Sequence, residues 1–448
     1  MNHSRTARRM QQRKKMYQAM MRAIVITFFL MIVTIIGIYI WMERQSSESA
    51  TGPDGGGEVI QVSPSSSPEP ASEPDPSQAP SPKESPAPEP SPGDRNESTP
   101  PSAAEPDDEA EKRVTLSFVG DVLLGSTVNN LLAAHGYDYP YQDVKTVLQR
   151  SDLTIANLET PITDRGTPEK DKTYVYRSSP KVLPAFKEAG FDLVNLANNH
   201  TMDHGVEGLL DTLDYLDDQQ IMRVGAGRNA DEAFQPVIVE KNGLKIAFLG
   251  FTKVVPDTSW KAGLQTPGLA DTYDYTRPVK EVAQAKEQAD LVVVIAHWGK
   301  ERHDHPNSEQ IDLAYRYIDA GADLIIGGHP HVLQGFEQYK GKWIAYSLGN
   351  FIFTTNDEAK TLETVILEAT CTTEGCDLKA VPIFTQWAKP VVMEEDAGKR
   401  LFERLTSISR EAIVQPDGHI RIKAAESPQV GESSPLINSE SRTKGRDN

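Results

Sequence analysis

The chain has 448 residues, enough for one large domain or two ordinary ones, and a net charge of −18 at pH 7. This charge argues against nucleic acid as a partner, because phosphates attract basic surfaces. The charge is uneven along the chain: residues 1–22 carry +7 and no acidic residue, residues 43–113 carry −11, and residues 114–448 carry −14.

Residues 23–42 predict a membrane anchor. The stretch AIVITFFLMIVTIIGIYIWM is uncharged over 20 residues, and a helix of that length spans about 30 Å, the thickness of a bilayer core. Tyr39 and Trp41 lie at one end, where interfacial aromatic residues are common. The basic flank predicts that residues 1–22 are cytoplasmic and that the rest of the chain is extracellular. A cleaved signal peptide is the alternative, but its apolar core would usually be shorter and no good small-x-small cleavage site lies just after Met42.

Residues 43–113 predict a disordered stalk. The segment holds 15 of the 31 prolines and has no aromatic residue, so it cannot bury enough apolar surface to fold. Proline and like charges favour an extended chain, which holds the next segment away from the membrane. A folded domain is predicted over residues 114–395, and residues 396–448 are predicted to be a C-terminal extension that is largely disordered at its end.

Four segments of the folded region resemble one another and predict buried strands. Each has Asp-Leu at its second and third positions, continues with apolar residues and ends in polar ones: SDLTIANLET, FDLVNLANNH, ADLVVVIAHWG and ADLIIGGHPH. A further strand, VTLSFVGDVLLG, starts at Val114. Helical patterns precede three of the segments, and helices alternating with continuously apolar strands indicate an α/β domain with strands buried on both faces. Hairpins at Asn242-Gly243 and Lys340-Gly341 and a strand pair over residues 362–384 indicate that part of the sheet system is antiparallel.

Polar residues stand where these strands end. Ligands of open α/β sheets bind beyond the carboxyl ends of the strands. One such cluster alone would be interpreted as a hydrophilic loop, but several strands delivering ligand-type side chains to one edge predict a site. The candidates are Asp121, Glu159, Asn199, His297, His329 and His331.

The segment GGHPH leaves two interpretations open. His329 and His331, two residues apart on one strand, would point to the same face and hold one metal. A sharp turn with solvated histidines is the alternative. The remaining histidines of this region, His135, His204, His303 and His305, are predicted to be surface residues.

The candidate ligands mix nitrogen and oxygen atoms, which favours zinc, manganese or iron over calcium or magnesium alone. A carboxylate that bridges two metals is the usual device for hydrolysis of phosphate esters. In that chemistry His200 is predicted to protonate a leaving group and Asp203 to orient its imidazole. Ser347 and Asn350 are interpreted either as substrate-binding residues at the rim or as parts of a structural turn.

The chain resembles the CapA/PgsA family of capsule and poly-γ-glutamate biosynthesis proteins in six motifs, which follow in the same order from about Val114 to Phe353. These motifs are FVGDVLLG, NLETPIT, NLANNHTMDHG, VVVIAHWGKE, GGHPHVLQGFE and YSLGNFIF. The resemblance implies a fold related to the calcineurin-like metallophosphoesterases, a four-layer α/β/β/α sandwich with mixed sheets. It also implies a membrane-embedded polymer ligase and a small membrane protein as partners, and an anionic envelope polymer as the product.

The resemblance also implies roles for single residues. Asp121, His297, His329 and His331 match metal ligands of the phosphoesterases, Glu159 stands at the place of a bridging aspartate, and Asn199-His200 match an Asn-His pair. Phosphoesterases of this kind have histidine two residues after the first aspartate, whereas this chain has Leu123. We therefore expect one firm metal position, formed by His329, His297 and Asn199. We expect a second, weak or empty one, where His331 faces Asp121 across Glu159.

Two functions follow from these expectations. The first is a non-hydrolytic or weakly hydrolytic part of capsule or poly-γ-glutamate synthesis and export, and the second is an extracellular metal-dependent phosphoesterase. A third, hydrolysis of the polymer's amide bonds, lacks a Ser-His-Asp or Cys-His arrangement to support it. Finally, Cys371 and Cys376 predict a disulfide in an extracellular setting, with two free thiols as the alternative.

Overall fold

The computed structural model describes residues 112–354 and 358–423. The predicted anchor and nearly all of the predicted stalk lie outside these ranges. Within them, no helix combines the length and the hydropathy that crossing a bilayer requires.

The elements of the described residues are the following. The strands are β1 (Val114–Val122), β2 (Leu153–Leu158), β3 (Leu193–Asn195), β4 (Met222–Val224), β5 (Ala226–Gly227), β6 (Val237–Lys241), β7 (Leu244–Thr252), β8 (Gly268–Leu269), β9 (Leu291–His297), β10 (Leu324–Gly328), β11 (Leu333–Tyr339), β12 (Lys342–Leu348), β13 (Asn350–Ile352), β14 (Glu363–Cys371), β15 (Cys376–Gln386), β16 (Lys389–Val392), β17 (Ala412–Val414) and β18 (Ile420–Ile422). The helices are α1 (Thr127–His135), α2 (Lys145–Leu148), α3 (Leu183–Glu188), α4 (Gly205–Asp218), α5 (Ala230–Phe234), α6 (Thr276–Lys286), α7 (Ser308–Asp319) and α8 (Glu395–Ile408). Short 3₁₀ turns cover Tyr139–Tyr141, Pro180–Val182, Thr258–Trp260 and Ala359–Thr361.

Two mixed sheets form the centre of the described domain. The first has the order β16-β15-β14-β1-β2-β3-β4, with β13 also paired to β1; β1 to β4 are parallel, and β14 is antiparallel to β1. The second has the order β11-β12-β10-β9-β7-β6, in which β7, β9, β10 and β12 are parallel and the two edge strands antiparallel. The predicted α/β class with partly antiparallel sheets and the two predicted hairpins are confirmed.

The side chains of the strands alternate between different cores. Phe118 of the first sheet and Phe248 of the second share one apolar cluster, so the sheets pack face to face. On the outer faces, Val119 packs in a cluster with Leu213 of α4, and Leu249 packs in a third cluster with residues of α6 and α7. Burial of each large apolar side chain contributes about 1.5–3 kcal/mol. The resulting order is helices, sheet, sheet, helices, the four layers that the resemblance implied.

The recurring Asp-Leu pairs share one structural role. Each aspartate directly precedes a parallel strand: Asp152 before β2, Asp192 before β3, Asp290 before β9 and Asp323 before β10. The aspartate N–H donates to the carbonyl of a residue on the neighbouring strand, and its carboxylate accepts that residue's N–H, both at 2.8–2.9 Å. The partner residues are Thr115, Thr154, Lys245 and Val292. The pairs thus fix where neighbouring strands begin relative to one another, and with that the alignment of their carboxyl ends.

The folded domain continues beyond the predicted boundary at residue 395. That residue begins α8, whose Leu401, Phe402 and Leu405 are buried in the core between the sheets. The strand β17 adds Val414 to the same core. The helical spacing of these apolar residues is visible in the sequence. Their burial shows that the segment through Lys423 belongs to the domain and is not an extension of it.

The two cysteines form the predicted disulfide. Cys371 ends β14 and Cys376 begins β15, and the two residues are direct partners in the antiparallel ladder. Their sulfur atoms are bonded and their Cα atoms lie 4.0 Å apart. The bond therefore closes the hairpin between these strands.

Candidate metal centre

The predicted ligands converge at the carboxyl ends of strands from both sheets. Asp121 lies in β1, Glu159 follows β2, Asn199 follows β3, His297 ends β9, and His329 follows β10. All five side chains are buried, and the half-buried His331 completes the group. Because parallel strands end side by side, the alignment of the two sheets delivers these side chains to one place. The structure therefore brings the six predicted residues together at this rim.

Glu159 lies at the centre of the cluster. Its side chain is fully buried, and among the described residues neither of its carboxylate oxygens has a hydrogen-bond partner. Oε1 lies 3.7 Å from Nε2 of His297 and 3.8 Å from Nε2 of His331. A buried carboxylate without a partner costs about 3 kcal/mol or more. A cation held between Glu159 and the histidines removes that cost.

Two sets of ligand atoms are close enough to hold a metal ion. Glu159, His329 and His331 form one set, Asp121, Glu159 and His297 form the other, and within each set the atoms lie within 4.8 Å of one another. Glu159 belongs to both, which is the position of a bridging carboxylate. In the described part of the chain, both carboxylate oxygens of Glu159 and Nδ1 of His329 lack a hydrogen-bond partner, which fits a divalent transition metal bound by imidazole and carboxylate.

These sets contain only carboxylates and histidines, so they leave out Asn199, which was expected at the firm position. His329 is in one set with His331, and Asp121 is in the other with His297. The ring centroid of His329 lies 4.8 Å from that of His297 and 5.9 Å from that of His331, so the expected pairing of His329 with His297 stays a prediction. Two of the expected contacts are nevertheless present: Oδ1 of Asn199 lies 2.7 Å from Nε2 of His297, and Nδ1 of His331 lies 3.2 Å from Oδ2 of Asp121.

The strand before the two histidines ends ahead of them. β10 stops at Gly328, and His329 and His331 have φ values of 93° and 56°. The interpretation that both point from one face of a strand is therefore wrong, and so is the solvated turn, because His329 is only 5% exposed. This left-handed backbone costs about 1–2 kcal/mol per residue, a strain typical of functional sites. Glycine is required at 328, because a Cβ there would lie 2.6 Å from Oδ1 of Asp121.

Buried amide side chains hold the ligands from behind. Nδ2 of Asn157 donates to Oδ1 of Asp121 at 2.8 Å and lies 3.2 Å from Nδ1 of His297. Asn195 and Asn198 in turn donate to Oδ1 of Asn157, at 2.9 and 3.3 Å. Sequence reasoning missed this network, although NLE and NLANNH place each asparagine within a few residues of a predicted ligand. Removal of a residue that hydrogen-bonds a metal ligand in this way commonly lowers metal affinity 10- to 100-fold.

Burial sets the protonation of the cluster. It raises the pKa of Glu159 well above its usual range, Asp121 adds to the shift, and His331 opposes it. Burial lowers the pKa of His297 well below its usual value and that of His329 to about 3, which favours the neutral form of both rings. At His331 burial disfavours the charged ring, but Glu159 and Asp121 outweigh it and raise the pKa to about 10. Neutral imidazoles are ready to bind a metal, whereas His331 must release its proton to do so.

His200 and Asp203 form the predicted pair, and a third residue joins them. Nδ1 of His200 lies 2.7 Å from Oδ2 of Asp203. Nζ of Lys172 lies 2.9 Å from the same Nδ1 and also binds Oδ1 of Asp203 and the backbone carbonyl of Asn199. Burial lowers the pKa of His200, and Asp203 opposes this shift. Sequence reasoning missed Lys172 because it lies in an irregular loop without a motif or a periodic pattern.

A cleft of about 320 Å³ opens beside the cluster. His200 and His331 line it, together with the aromatic side chains of Tyr174, Tyr176 and Phe353. A volume of this size is typical of small-ligand sites. A ligand in the cleft therefore reaches two residues of the rim.

Ser347 and Asn350 are fully buried and serve the protein's own structure. Oγ of Ser347 donates to the carbonyl of Val332 at 2.8 Å and accepts the N–H of Gly349 at 3.2 Å, so the interpretation as a structural turn holds for it. Oδ1 of Asn350 lies 2.9 Å from Nδ1 of His331 and orients that ring. The proposed substrate contacts of both residues are therefore not supported by their positions.

Leu123 and His204 are both buried. Leu123 is buried in the apolar core beneath the helices and lines the cleft. His204 is buried, which contradicts the prediction of a surface residue, because the loop around Gly166 packs against its backbone. His135, His303 and His305 are exposed as predicted.

The fold and the rim define a four-layer α/β protein with two candidate metal positions that share one carboxylate. Residues 115–355 match the family model described as Bacterial capsule synthesis protein PGA_cap. The chain is 35% identical over 312 residues to the PGA biosynthesis protein CapA of Bacillus subtilis (strain 168), covering 68% of this chain and 81% of that protein. It is 34% identical over 304 residues to the capsule biosynthesis protein CapA of Bacillus anthracis, covering 66% and 73%. The chain therefore belongs to the PGA_cap family of bacterial capsule synthesis proteins.

Among solved structures, the 5′-nucleotidase of Candida albicans SC5314 matches with a TM-score of 0.37 and 13% identity, covering 64% of this chain and 53% of that one.

Proposed function

We propose that this protein is a membrane-anchored, extracellular component of the machinery that makes and exports a capsule polymer of the poly-γ-glutamate type. The observation that carries the proposal is the match of the folded domain to two relatives whose names describe capsule and PGA biosynthesis. The family model covers the whole rim, from Asp121 to His331. The rim therefore lies within the matched region and offers residues at which the role can be tested.

The membrane placement rests on the sequence. The uncharged residues 23–42 follow a segment with a charge of +7, which favours a cytoplasmic N-terminus and an extracellular domain. The family resemblance supplies the partners, a membrane-embedded polymer synthase or ligase and a small membrane protein. Protease added to intact cells should remove a C-terminal tag from the anchored chain. Complete protection of the tag, with cleavage only after lysis, would contradict this topology.

The rim offers a place for an anionic group of the polymer. Residues 114–448 carry −14, so the general surface repels a polyanion and attraction needs local positive charge. A divalent metal supplies such charge and polarises an oxygen atom bound to it. The residues that would hold the metal are Asp121, Glu159, Asn199, His297, His329 and His331. His200 lines the cleft with Nδ1 bonded to the protein, so its Nε2 is the ring nitrogen left for a ligand.

Complementation of a deletion strain tests the role. Deletion of the gene should abolish the cell-associated polymer, and the wild-type chain should restore it. We expect Glu159→Gln to fail in restoration, because it removes the shared carboxylate, while Glu240→Gln, an exposed position on β6, restores the polymer fully. Equal amounts of both variants must be present in the membrane fraction. Unchanged polymer in the deletion strain would refute the proposed function.

The pair of His200 and Asp203 beside the Glu159 cluster supports a second candidate, an extracellular metal-dependent phosphoesterase. In that reaction His200 donates a proton to the leaving oxygen and Asp203 holds its ring. The assay is hydrolysis of bis-p-nitrophenyl phosphate by the purified chain with Mn²⁺, compared with His200→Gln. We expect little or no turnover, because Leu123 stands where a ligand is usual. Rapid, His200-dependent turnover would place this function first.

A further inference from the structure

The loop between Thr163 and Ser178 forms one wall of the cleft. It is closed at its base by two backbone hydrogen bonds, from Thr163 N–H to the carbonyl of Ser178 (2.8 Å) and from Ser178 N–H to the carbonyl of Pro161 (3.0 Å). Compact surface loops with adjoining ends are Ω-loops, and they often carry function. This one carries Tyr174 and Tyr176, and the ring of Tyr176 lies 4.6 Å from that of His200.

Asp203 joins this loop to the segment that carries Asn199 and His200. Its carboxylate accepts the N–H of Tyr176 at 2.7 Å, and its backbone carbonyl accepts the N–H of Glu169 at 3.0 Å. Two points of the loop, seven residues apart, are thus held by one aspartate. The position of the cleft wall therefore depends on the position of the rim segment.

Lys172 makes the third and most central connection. Its Nζ binds Oδ1 of Asp203 and the backbone carbonyl of Asn199, and lies 2.9 Å from Nδ1 of His200. The side chain is only 16% exposed, with the ring of Trp260 5.2 Å from Nζ. One ammonium group thus contacts three neighbouring rim residues and belongs to the loop that covers them.

The contacts of Asn199 show what this connection can do. Its backbone carbonyl is bound by Lys172, while its side-chain Oδ1 lies 2.7 Å from Nε2 of His297. Held at both ends, Asn199 cannot turn away from the candidate metal position. A lysine that served only as the partner of Asp203 would not need to reach this carbonyl.

We propose that Lys172 is a positioning residue that fixes Asn199 and His200 at the metal centre and, through the same contacts, holds the aromatic wall of the cleft in place. The part that concerns the metal rests on the proposed metal centre. Removal of the ammonium group should therefore weaken metal binding and loosen the loop together. Losses of partners that orient metal ligands are typically 10- to 100-fold in metal affinity.

The test compares Lys172→Met with Lys170→Met in the purified full-length chain. Lys170 lies two residues earlier on the same loop and is exposed, so it is a matched control for charge and position. Calorimetric titration with Mn²⁺ gives the dissociation constant, and hydrogen–deuterium exchange reports the N–H groups of Glu169 and Tyr176. We expect Lys172→Met to raise the dissociation constant about 10-fold or more and to speed exchange at both amides, and Lys170→Met to change neither.

Several outcomes would overturn the proposal. Wild-type affinity in Lys172→Met does so, even if exchange is faster, because Lys172 would then hold only the loop. An equal loss of affinity in Lys170→Met does so too, because it points to general charge. If Lys172→Met does not fold, Lys172→Gln takes its place under the same criteria. If the wild-type chain itself binds no Mn²⁺, the proposed metal centre fails, and the exchange rates alone decide whether Lys172 positions the loop.

Discussion

Asp323 provides a quantitative test of how the strands of the second sheet are aligned. Its side chain is 3% exposed, and Oδ2 accepts the N–H of Val292 at 2.9 Å. The same carboxylate contacts Nζ of Lys286 and Nζ of Lys342, each at 2.8 Å. Asp290 makes the corresponding bond to the N–H of Lys245, but its side chain is exposed. The two aspartates therefore share one role in different surroundings.

The burial of these aspartates sets the size of the expected effects. Asp323→Ala leaves the buried N–H of Val292 without an acceptor, which costs about 1–3 kcal/mol, and removes charge-assisted bonds worth about 1.5–3 kcal/mol each in isolation. Both lysines can turn to water, because their side chains are 37% and 25% exposed, so most of the ion-pair energy is recovered. We expect a loss of about 3 kcal/mol in the free energy of unfolding for Asp323→Ala and about 1 kcal/mol for Asp290→Ala.

Urea unfolding at pH 7, followed by tryptophan fluorescence, measures both values. Asp323→Asn is the matched control, because it keeps an acceptor for Val292 N–H and removes only the charge; its loss should lie between the other two. The denaturant slope should stay unchanged, so that a shifted midpoint reports stability. Equal losses in Asp323→Ala and Asp290→Ala would refute the reasoning, since the burial of the carboxylate would then not matter.

Three further predictions follow from other parts of the domain. Removing the disulfide with Cys371→Ser and Cys376→Ser together should cost about 2 kcal/mol in urea unfolding, because the closed loop is short; no change relative to the wild-type chain would contradict this. Gly328→Ala should weaken Mn²⁺ binding about 10-fold or more in calorimetry, because its Cβ would meet Oδ1 of Asp121. Gly375→Ala should bind Mn²⁺ as the wild-type chain does, because a Cβ there meets no described atom within 4 Å. The bond from Arg165 and that from Thr163 lower the pKa of Asp211, so its contribution to stability is present above the unfolded value of about 3.9 and is lost as the pH falls through the lowered pKa. Asp211→Asn should therefore cost about 1–2 kcal/mol at pH 7, and the difference from the wild-type chain should shrink when urea unfolding is repeated near pH 3; an undiminished difference at low pH would refute it.

The parts of the fold that depend on local patterns could be predicted from the sequence. Continuous apolar runs after Asp-Leu gave the parallel strands, and the turns at Asn242-Gly243 and Lys340-Gly341 gave the hairpins. The role of the aspartates themselves could not be predicted, because each acts on a neighbouring strand tens of residues away. The helix α8 was not predicted, although the regular spacing of its apolar residues is typical of a helix.

The candidate site also has parts that local sequence patterns predict and parts that depend on contacts between distant residues. The candidate ligands could be predicted from the polar residues at the ends of the strands, because the carboxyl ends of parallel strands lie at one edge of a sheet. The backbone of His329 and His331 could not be predicted, since left-handed conformations of non-glycine residues follow from tertiary contacts and not from propensity. Lys172 and Asn157 were missed for a related reason: they contact the candidate ligands Asn199 and Asp121, which come from other elements of the fold.

Leu123 bears on the choice between the two proposed functions. It stands two residues after Asp121, where the resemblance to phosphoesterases calls for a histidine, and its side chain is 1% exposed in an apolar cluster. A leucine there contributes packing of about 1.5–3 kcal/mol but no ligand atom, and it gives the cleft an apolar wall next to Asp121. Hydrolysis with two metals requires both ions to be firmly held, because each stabilises a different oxygen in the transition state. Binding an anionic group requires only one. The loss of a ligand at 123 therefore weakens the case for hydrolysis more than the case for a polymer-binding rim.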